Sequence, residues 1–137
     1  MGLFRIFDIA GSAMSAQSVR MNATASNLAN ASTAANRADR AYRALQPVFQ
    51  TVMDDQGQED ATAGVKVAGV VASAATPQRV YQPGHPQADA DGYVYLANVN
   101  PVDEMVNMIS ASRSYQNSVE VLNTSKELLL RTLSLGQ

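Results

Sequence analysis

The sequence predicts a mainly α fold with a small β insertion, in which long N- and C-terminal helices pair as a coiled coil and short strands and loops lie between. Three features predict it: apolar residues seven apart near the N-terminus, a capped run of three-and-four spacing after residue 100, and short valine-rich runs between them. The chain divides accordingly into a coiled-coil helix and turn at 1–36, a β-rich insertion with a mobile loop at 37–99, and a second coiled-coil helix at 100–137.

The N-terminal helix is predicted by apolar side chains that recur in heptads, because this spacing places them on one stripe of a helix. Residues 3–31 contain no proline and only Gly11 as glycine. About 29 residues can therefore form one helix, about 43 Å long at 1.5 Å per residue. Small Ala and Ser residues dominate its other faces. The heptad residues are Phe7, Met14, Met21 and Leu28, and a second row of the seam interleaves with them at three-and-four spacing, namely Leu3, Ala10, Gln17, Thr24 and Ala31.

The C-terminal helix has a clear start in the sequence. Asn100 is a good N-cap, and Pro101 suits the first helical position. Asp103 and Glu104 place negative charge at the positive end of the helix dipole. Helical spacing then continues to Gly136, which predicts about 34 helical residues. The residues predicted to line its seam are Met105, Met108, Ser112, Tyr115, Val119, Leu122, Leu129 and Leu133.

Between the helices the pattern changes to short apolar runs bounded by turn residues, which is typical of strands. These runs are residues 48–52, 65–71, 80–81 and 93–96. Turn-forming residues at 54–57 and 83–92 separate them, and the small polar segment 58–64 predicts a mobile loop. The insertion is expected to be small and without a second core.

Composition excludes several classes of function. Zero cysteines exclude disulfides, thiolate metal sites and thiol nucleophiles. A net charge of -2 argues against a nucleic-acid partner, which would need clustered cations to neutralise phosphates. Residues 1–16 are too short to span a membrane, and Arg5 and Asp8 interrupt their apolar run, so neither direct membrane insertion nor a cleaved signal peptide is expected.

Two segments invite a chemical interpretation. Residues 87–92 match three positions of an EF-hand calcium loop, but Gln87 and Asn98 stand where its first and last carboxylates belong. A tight turn is favoured, and a calcium-dependent binding module stays as an alternative. The single histidine, His85, is interpreted as a turn residue because no nucleophile motif accompanies it. No catalytic, cofactor-binding or metal-binding residue and no small-molecule substrate are predicted, and the chain is not expected to be an enzyme.

A polar cluster follows the heptad residues of the first helix. Its members are Asn27, Asn30, Ser32, Thr33 and Asn36. Short polar side chains of this kind either cap the end of a helix or make a specific contact between helices. Both interpretations stay open.

Two stretches of the chain resemble a known family. The first, residues 12–33, contains Ala-Ser-Asn-Leu-Ala-Asn-Ala at 25–31. The second, residues 80–135, contains Tyr-Gln-Pro-Gly-His-Pro at 81–86 and Ala-Ser-Arg-Ser-Tyr-Gln at 111–116. These motifs resemble the flagellar rod and hook family, and within it the proximal-rod proteins. The sequence departs from the family pattern after Asn30, where an Asn-Thr segment rich in proline is replaced, and at Gln87, where the family often has Asp.

The resemblance implies a structural subunit of the bacterial flagellar basal body, which polymerises through its terminal helices into the drive shaft that transmits torque from motor to hook. Implied partners are further copies of the chain, other rod proteins of the FlgB, FlgF, FlgG and FliE type, and the flagellar type III export apparatus. The implied location is the rod that crosses the periplasm. The expected subunit interface comprises the seam residues of both helices together with Asn27 and Asn30. A generic coiled-coil adaptor is the alternative.

Overall fold

The computed structural model describes residues 3–54 and 62–135. It confirms the predicted fold class, because two long helices pack together and short strands lie between them. The predicted turn and loop at 55–61 lie outside the described residues. The elements are α1 (Leu3–Asn30), β1 (Ala34–Ala35), β2 (Leu45–Asp54), β3 (Thr62–Ala72), β4 (Gln78–Tyr81), β5 (Tyr93–Leu96) and α2 (Pro101–Leu135).

The two helices have the lengths that the sequence indicated. They contain 28 and 35 residues, about 42 and 52 Å at 1.5 Å per residue. Asn100 caps α2 as predicted, since its Oδ1 accepts a hydrogen bond from the backbone N–H of Val102 at 3.1 Å. Asp103 and Glu104 lie in the first turn. Local capping therefore accounts for the start of α2.

The helices pair antiparallel. Near the end of α1, Asn27 donates to Glu104 at 3.1 Å, and further back Arg20 donates to Asn107 at 3.1 Å. Near the start of α1, Ile6 lies beside Val121. The fully buried positions of the pair are mostly Ala, Ser or Thr, and they are Ala10, Ala16, Ala23, Thr24 and Asn27 on α1 with Ala111 and Ser125 on α2. Small side chains at the contact allow two helices to approach closely.

The heptad residues of α1 lie beside this small-residue seam and not at its centre. Phe7, Met14, Met21 and Leu28 are each only half-buried. The heptad pattern indicated the helix correctly, and of its two rows the interleaved one contains the buried Ala10 and Thr24, whereas the row of large side chains is only half-buried. The reason is physical, because a close helix contact leaves space for Ala and Ser at its centre and displaces longer side chains to its flanks.

Strands β2 and β3 form an antiparallel hairpin with Leu45 opposite Ala72. Its register shifts between Val48 and Phe49, which marks a β-bulge. The hairpin is longer than predicted, and Thr62 to Gly64, expected in a mobile loop, belong to β3. It lies along α1, where the backbone N–H of Val65 donates to Ser12 Oγ at 3.3 Å.

The other three strands form a small sheet in the order β1-β5-β4, all antiparallel. Strand β1 falls in the segment predicted to be a polar turn, and this prediction was wrong for Ala34 and Ala35, which pair with Leu96 and Tyr95. A two-residue strand has no readable periodicity, and its pairing depends on the edge that distant β5 offers.

The core of the described residues is thin. Its buried apolar residues are mostly alanines, and the largest fully buried side chains in the described part of the chain are Val94 and Asn27. Within residues 3–54 and 62–135, no helix is long and apolar enough to cross a membrane. An amide is thus one of the two largest groups at the centre of this fold, and it lies where α1, α2 and the hairpin meet.

Candidate functional site and subunit interface

The outward face of α2 carries an apolar stripe close to the helix start. The side chains of this outer stripe are between 50% and 63% exposed, and they are Val102, Met105, Val106 and Ile109. Their spacing of three, four and seven places them on one side of the helix. Contiguous exposed apolar side chains on a soluble protein mark a surface that binds another molecule.

The last ten residues of α2 form a second apolar surface, called here the leucine tail, residues 126–135. Asn27 lies beside Glu104 and Ile6 beside Val121, so Leu3, the first described residue of α1, lies beside about residue 125 of α2. Residues 126–135 therefore extend beyond the described part of α1. In residues 126–135 every side chain except Leu129 is exposed. The tail contains the leucines Leu128, Leu129, Leu130, Leu133 and Leu135.

A groove lies between the start of α1 and the middle of α2. It has a volume of about 250 Å³ and walls that are mostly apolar. A groove between two helices of this size accepts the aliphatic side chains of another helix. Its lining residues are Ile6, Ile9, Ala10, Ala13, Asn117, Ser118 and Val121.

The residues predicted for the interface fall into three sets according to their exposure. Met105 and Leu133 point outward, in the outer stripe and in the leucine tail, and are 50% and 62% exposed. The half-buried set consists of Phe7, Met14, Met21, Leu28, Asn30, Met108, Ser112, Tyr115, Val119, Leu122 and Leu129. Only Asn27 of the predicted residues is fully buried. Helical spacing alone does not separate the inner face from the outer one.

Asn27 occupies the centre of a polar cluster. Its Nδ2 donates to the backbone carbonyl of Leu45 at 3.0 Å and to Glu104 Oε2 at 3.1 Å, and its Oδ1 accepts from the Leu45 N–H at 2.7 Å and from Tyr42 Oη at 3.0 Å. Asn30 acts locally instead, since it donates to the carbonyl of Ser26 at 2.8 Å. Both interpretations of the polar cluster therefore hold, each for a different asparagine.

The loop that resembled a calcium site is a tight turn. Asp89 Oδ1 accepts from the backbone N–H groups of Asp91 and Tyr93 at 3.0 and 2.8 Å. Gly92 has φ +82°, and a Cβ there would lie 2.9 Å from the Tyr81 ring. His85 Nδ1 accepts from the N–H of Gln87 at 3.0 Å, so it is a turn residue as predicted. Across the described ranges no group of three His, Cys, Asp or Glu residues could hold a metal ion.

Sequence reasoning did not identify the outward apolar residues Val102, Val106, Ile109, Leu128 and Leu135, nor the buried Ala16, Ala23 and Ala111. A signal for the alanines was present, because Ala16 and Ala23 are seven residues apart, the spacing of a helix seam. The outward residues had no such signal, since they follow the same helical spacing as those that face α1.

Two family models match the two ends of the chain, which the fold brings together. Residues 7–35 match the family described as flagella basal body rod protein, and residues 90–135 match flagellar basal body rod FlgEFG protein C-terminal. With the antiparallel terminal helices and their outward apolar surfaces, these matches define the class as the flagellar basal-body rod proteins.

Similar curated proteins give the particular family. The flagellar basal-body rod protein FlgC is 56% identical over 137 residues in Salmonella typhimurium and 57% identical over 137 residues in Yersinia enterocolitica, with 100% of both chains covered. FlgC of Buchnera aphidicola subsp. Acyrthosiphon pisum is 40% identical over 139 residues, again with full coverage. The chain belongs to the FlgC family. It is a structural subunit of the flagellar basal-body rod and assembles with other rod components.

Proposed function

We propose that this chain polymerises through its terminal helices into the proximal rod, the part of the drive shaft that transmits torque from motor to hook. The observation that carries the proposal is the exposure of the outer stripe and the leucine tail after α1 and α2 have paired. The role proposed for the chain is mechanical, and no catalytic step is assigned to any of its residues.

The apolar surfaces support a contact that does not close on itself. The outer stripe lies near the start of α2, whereas the groove and the leucine tail lie towards the other end of the helix pair. A contact between two different surfaces of neighbouring subunits is heterologous, and such contacts build helical arrays when the rotation does not close a ring. Full burial of an aliphatic side chain stabilises by roughly 1.5–3 kcal/mol, so each half-exposed stripe residue contributes about 1 kcal/mol.

The partners that we propose are other copies of this chain and rod proteins of the FlgB, FlgF, FlgG and FliE type. The seam residues with Asn27 and Asn30 form, in this proposal, the helix pair that presents the interface. We propose also that the flagellar type III export apparatus delivers the chain to the periplasmic rod. Retention of the chain in the cytoplasm of cells lacking that apparatus tests this part.

The test of the rod proposal is complementation of a host strain that lacks the gene. The Val106→Asp/Ile109→Asp variant places two charges on the outer stripe, and it should fail to restore motility and completed basal bodies. Both side chains are more than half exposed, so circular dichroism of the purified variant should show unchanged helix content.

A matched control adds the same two charges outside the helices. Thr76→Asp/Gln87→Asp changes two exposed positions and should restore motility, as the wild type does. Normal motility in the deletion strain itself would contradict the rod assignment. Normal motility with the stripe variant would contradict only the proposed interface, and failure of the control as well would mean that charge alone explains the loss.

A further inference from the structure

We infer that Asn27 is a positioning residue that couples the docking of α2 on α1 to the seating of the β2–β3 hairpin on α1. The inference concerns contacts within one chain and does not depend on how subunits assemble. It rests on the four hydrogen bonds of one buried side chain, which reach β2, α2 and the loop before β2.

The Asn27 amide uses its whole hydrogen-bonding capacity. A side-chain amide has two donor hydrogens and two acceptor lone pairs, and Asn27, 1% exposed, has two of its bonds to Leu45, one to Tyr42 and one to Glu104. A buried amide with every site filled is sensitive to the loss of any one partner, because the remaining group has no access to water.

The Asn27 side chain bonds the backbone of Leu45 in the way that a neighbouring strand would. The backbone N–H of Ser73 donates to the carbonyl of Ala44 at 2.8 Å, so the hairpin ladder is bonded at the residue before Leu45. In an antiparallel pair the neighbouring residue points its N–H and C=O away from the partner strand. Both groups of Leu45 are met by the Asn27 side chain at 2.7 and 3.0 Å. Asn27 thus acts as a peptide group on the open edge of β2.

Glu104 links the same amide to α2. It lies in the first turn of α2, and its carboxylate accepts from Asn27 Nδ2. Among the described residues, no Cα atom of α2 lies within 8 Å of a Cα atom of β2 or β3. Glu104, Asn27 and Leu45 therefore form a hydrogen-bonded route from α2 to the hairpin, separate from the bond of 2.7 Å between the Ala44 N–H and Asn98 before the helix. An aspartate at position 27 could not make the same hydrogen bonds, because a carboxylate has no donor for the Leu45 carbonyl and would repel the Glu104 carboxylate.

The experiment is hydrogen exchange of the full-length chain with variants in α2 that do not touch the hairpin. Glu104→Ala should speed exchange of the Leu45 and Ser73 amides about tenfold, the effect of losing one hydrogen bond to a charged group. Glu104→Gln should leave both amides near the wild-type rate, because its side-chain oxygen accepts the same bond. Asp103→Ala is the matched control, since it removes an exposed carboxylate from the same turn.

A double-mutant cycle gives the decisive comparison. In the Asn27→Ala background, Glu104→Ala should produce no further change at Leu45 or Ser73, since the link is already broken. Additive effects in the double variant, or equal effects of Asp103→Ala and Glu104→Ala, would overturn the inference. If Asn27→Ala lowers the helix content, the three single variants of α2 decide the matter alone. Faster exchange of the Leu45 amide in Glu104→Ala, but not in Glu104→Gln or Asp103→Ala, is expected only from coupling.

Discussion

The two ends of α2 differ in how the rest of the chain holds them. At the first end, Asn107 bonds Arg20 at 3.1 Å, Glu104 bonds Asn27, and Ala111 is fully buried against α1. In the leucine tail, only Leu129 is even half-buried. One helix thus combines a segment specified by contacts within the chain with a segment whose apolar side chains are exposed. The difference shows that helix formation and helix docking are separate properties of the same sequence.

The largest expected difference is in amide exchange along α2 of the free chain. Amides of residues 108–119 should exchange at least about 100-fold more slowly than those of residues 128–135, because the tail opens without breaking packing. Hydrogen exchange read by NMR measures this directly. Equal protection along the helix would show that the tail is held by contacts within the chain, and the comparison of the two ends would then fail.

The next largest effect is expected from overpacking the held end. Ala111→Leu adds three carbons to a position that is 0% exposed, so it should lower the free energy of unfolding by about 1–3 kcal/mol. Ala29→Leu is the matched control on an exposed face of α1 and should change it by less than about 0.5 kcal/mol. Urea unfolding measures both. A tolerated leucine at 111 would mean that the small-residue seam is loosely packed.

The smallest effect on stability is expected in the tail. Leu133→Ala should change the free energy of unfolding of the free chain by less than about 0.5 kcal/mol, since Leu133 is 62% exposed. Leu122→Ala, the same change on the half-buried inner face, should lower it by about 1–2 kcal/mol. Reduced motility with Leu133→Ala despite unchanged stability would support the difference between the two ends of α2. A large loss of stability with Leu133→Ala would contradict that difference.

Local features of the fold were predictable from the sequence because they depend on neighbouring residues. Asn100 and Pro101 predicted the start of α2, and the turn at 83–92 followed from its Pro, Gly and Asp residues. The division of α2 into an inner and an outer face was not predictable, because Met105 and Met108 share one helical spacing although only the second faces α1. Burial depends on where α1 lies, and that is a property of the whole fold.

The polar centre shows the same limit. The sequence indicated that Asn27 would cap a helix or bridge two helices, and it bridges α1, α2 and β2. Its partner Leu45 is eighteen positions away and Glu104 seventy-seven, and no local pattern carries such distances. The β1 strand at Ala34 was missed for the same reason, since its partner Leu96 is supplied by another part of the chain.

The small side chains of the helix seam also affect how stability varies with temperature. Alanine has no side-chain rotamers to lose, so the seam at Ala10, Ala16, Ala23 and Ala111 forms with little loss of side-chain entropy. It also hides little apolar area, and the heat capacity of unfolding depends mainly on that area. We therefore expect the helix pair to contribute a shallow curve of unfolding free energy against temperature.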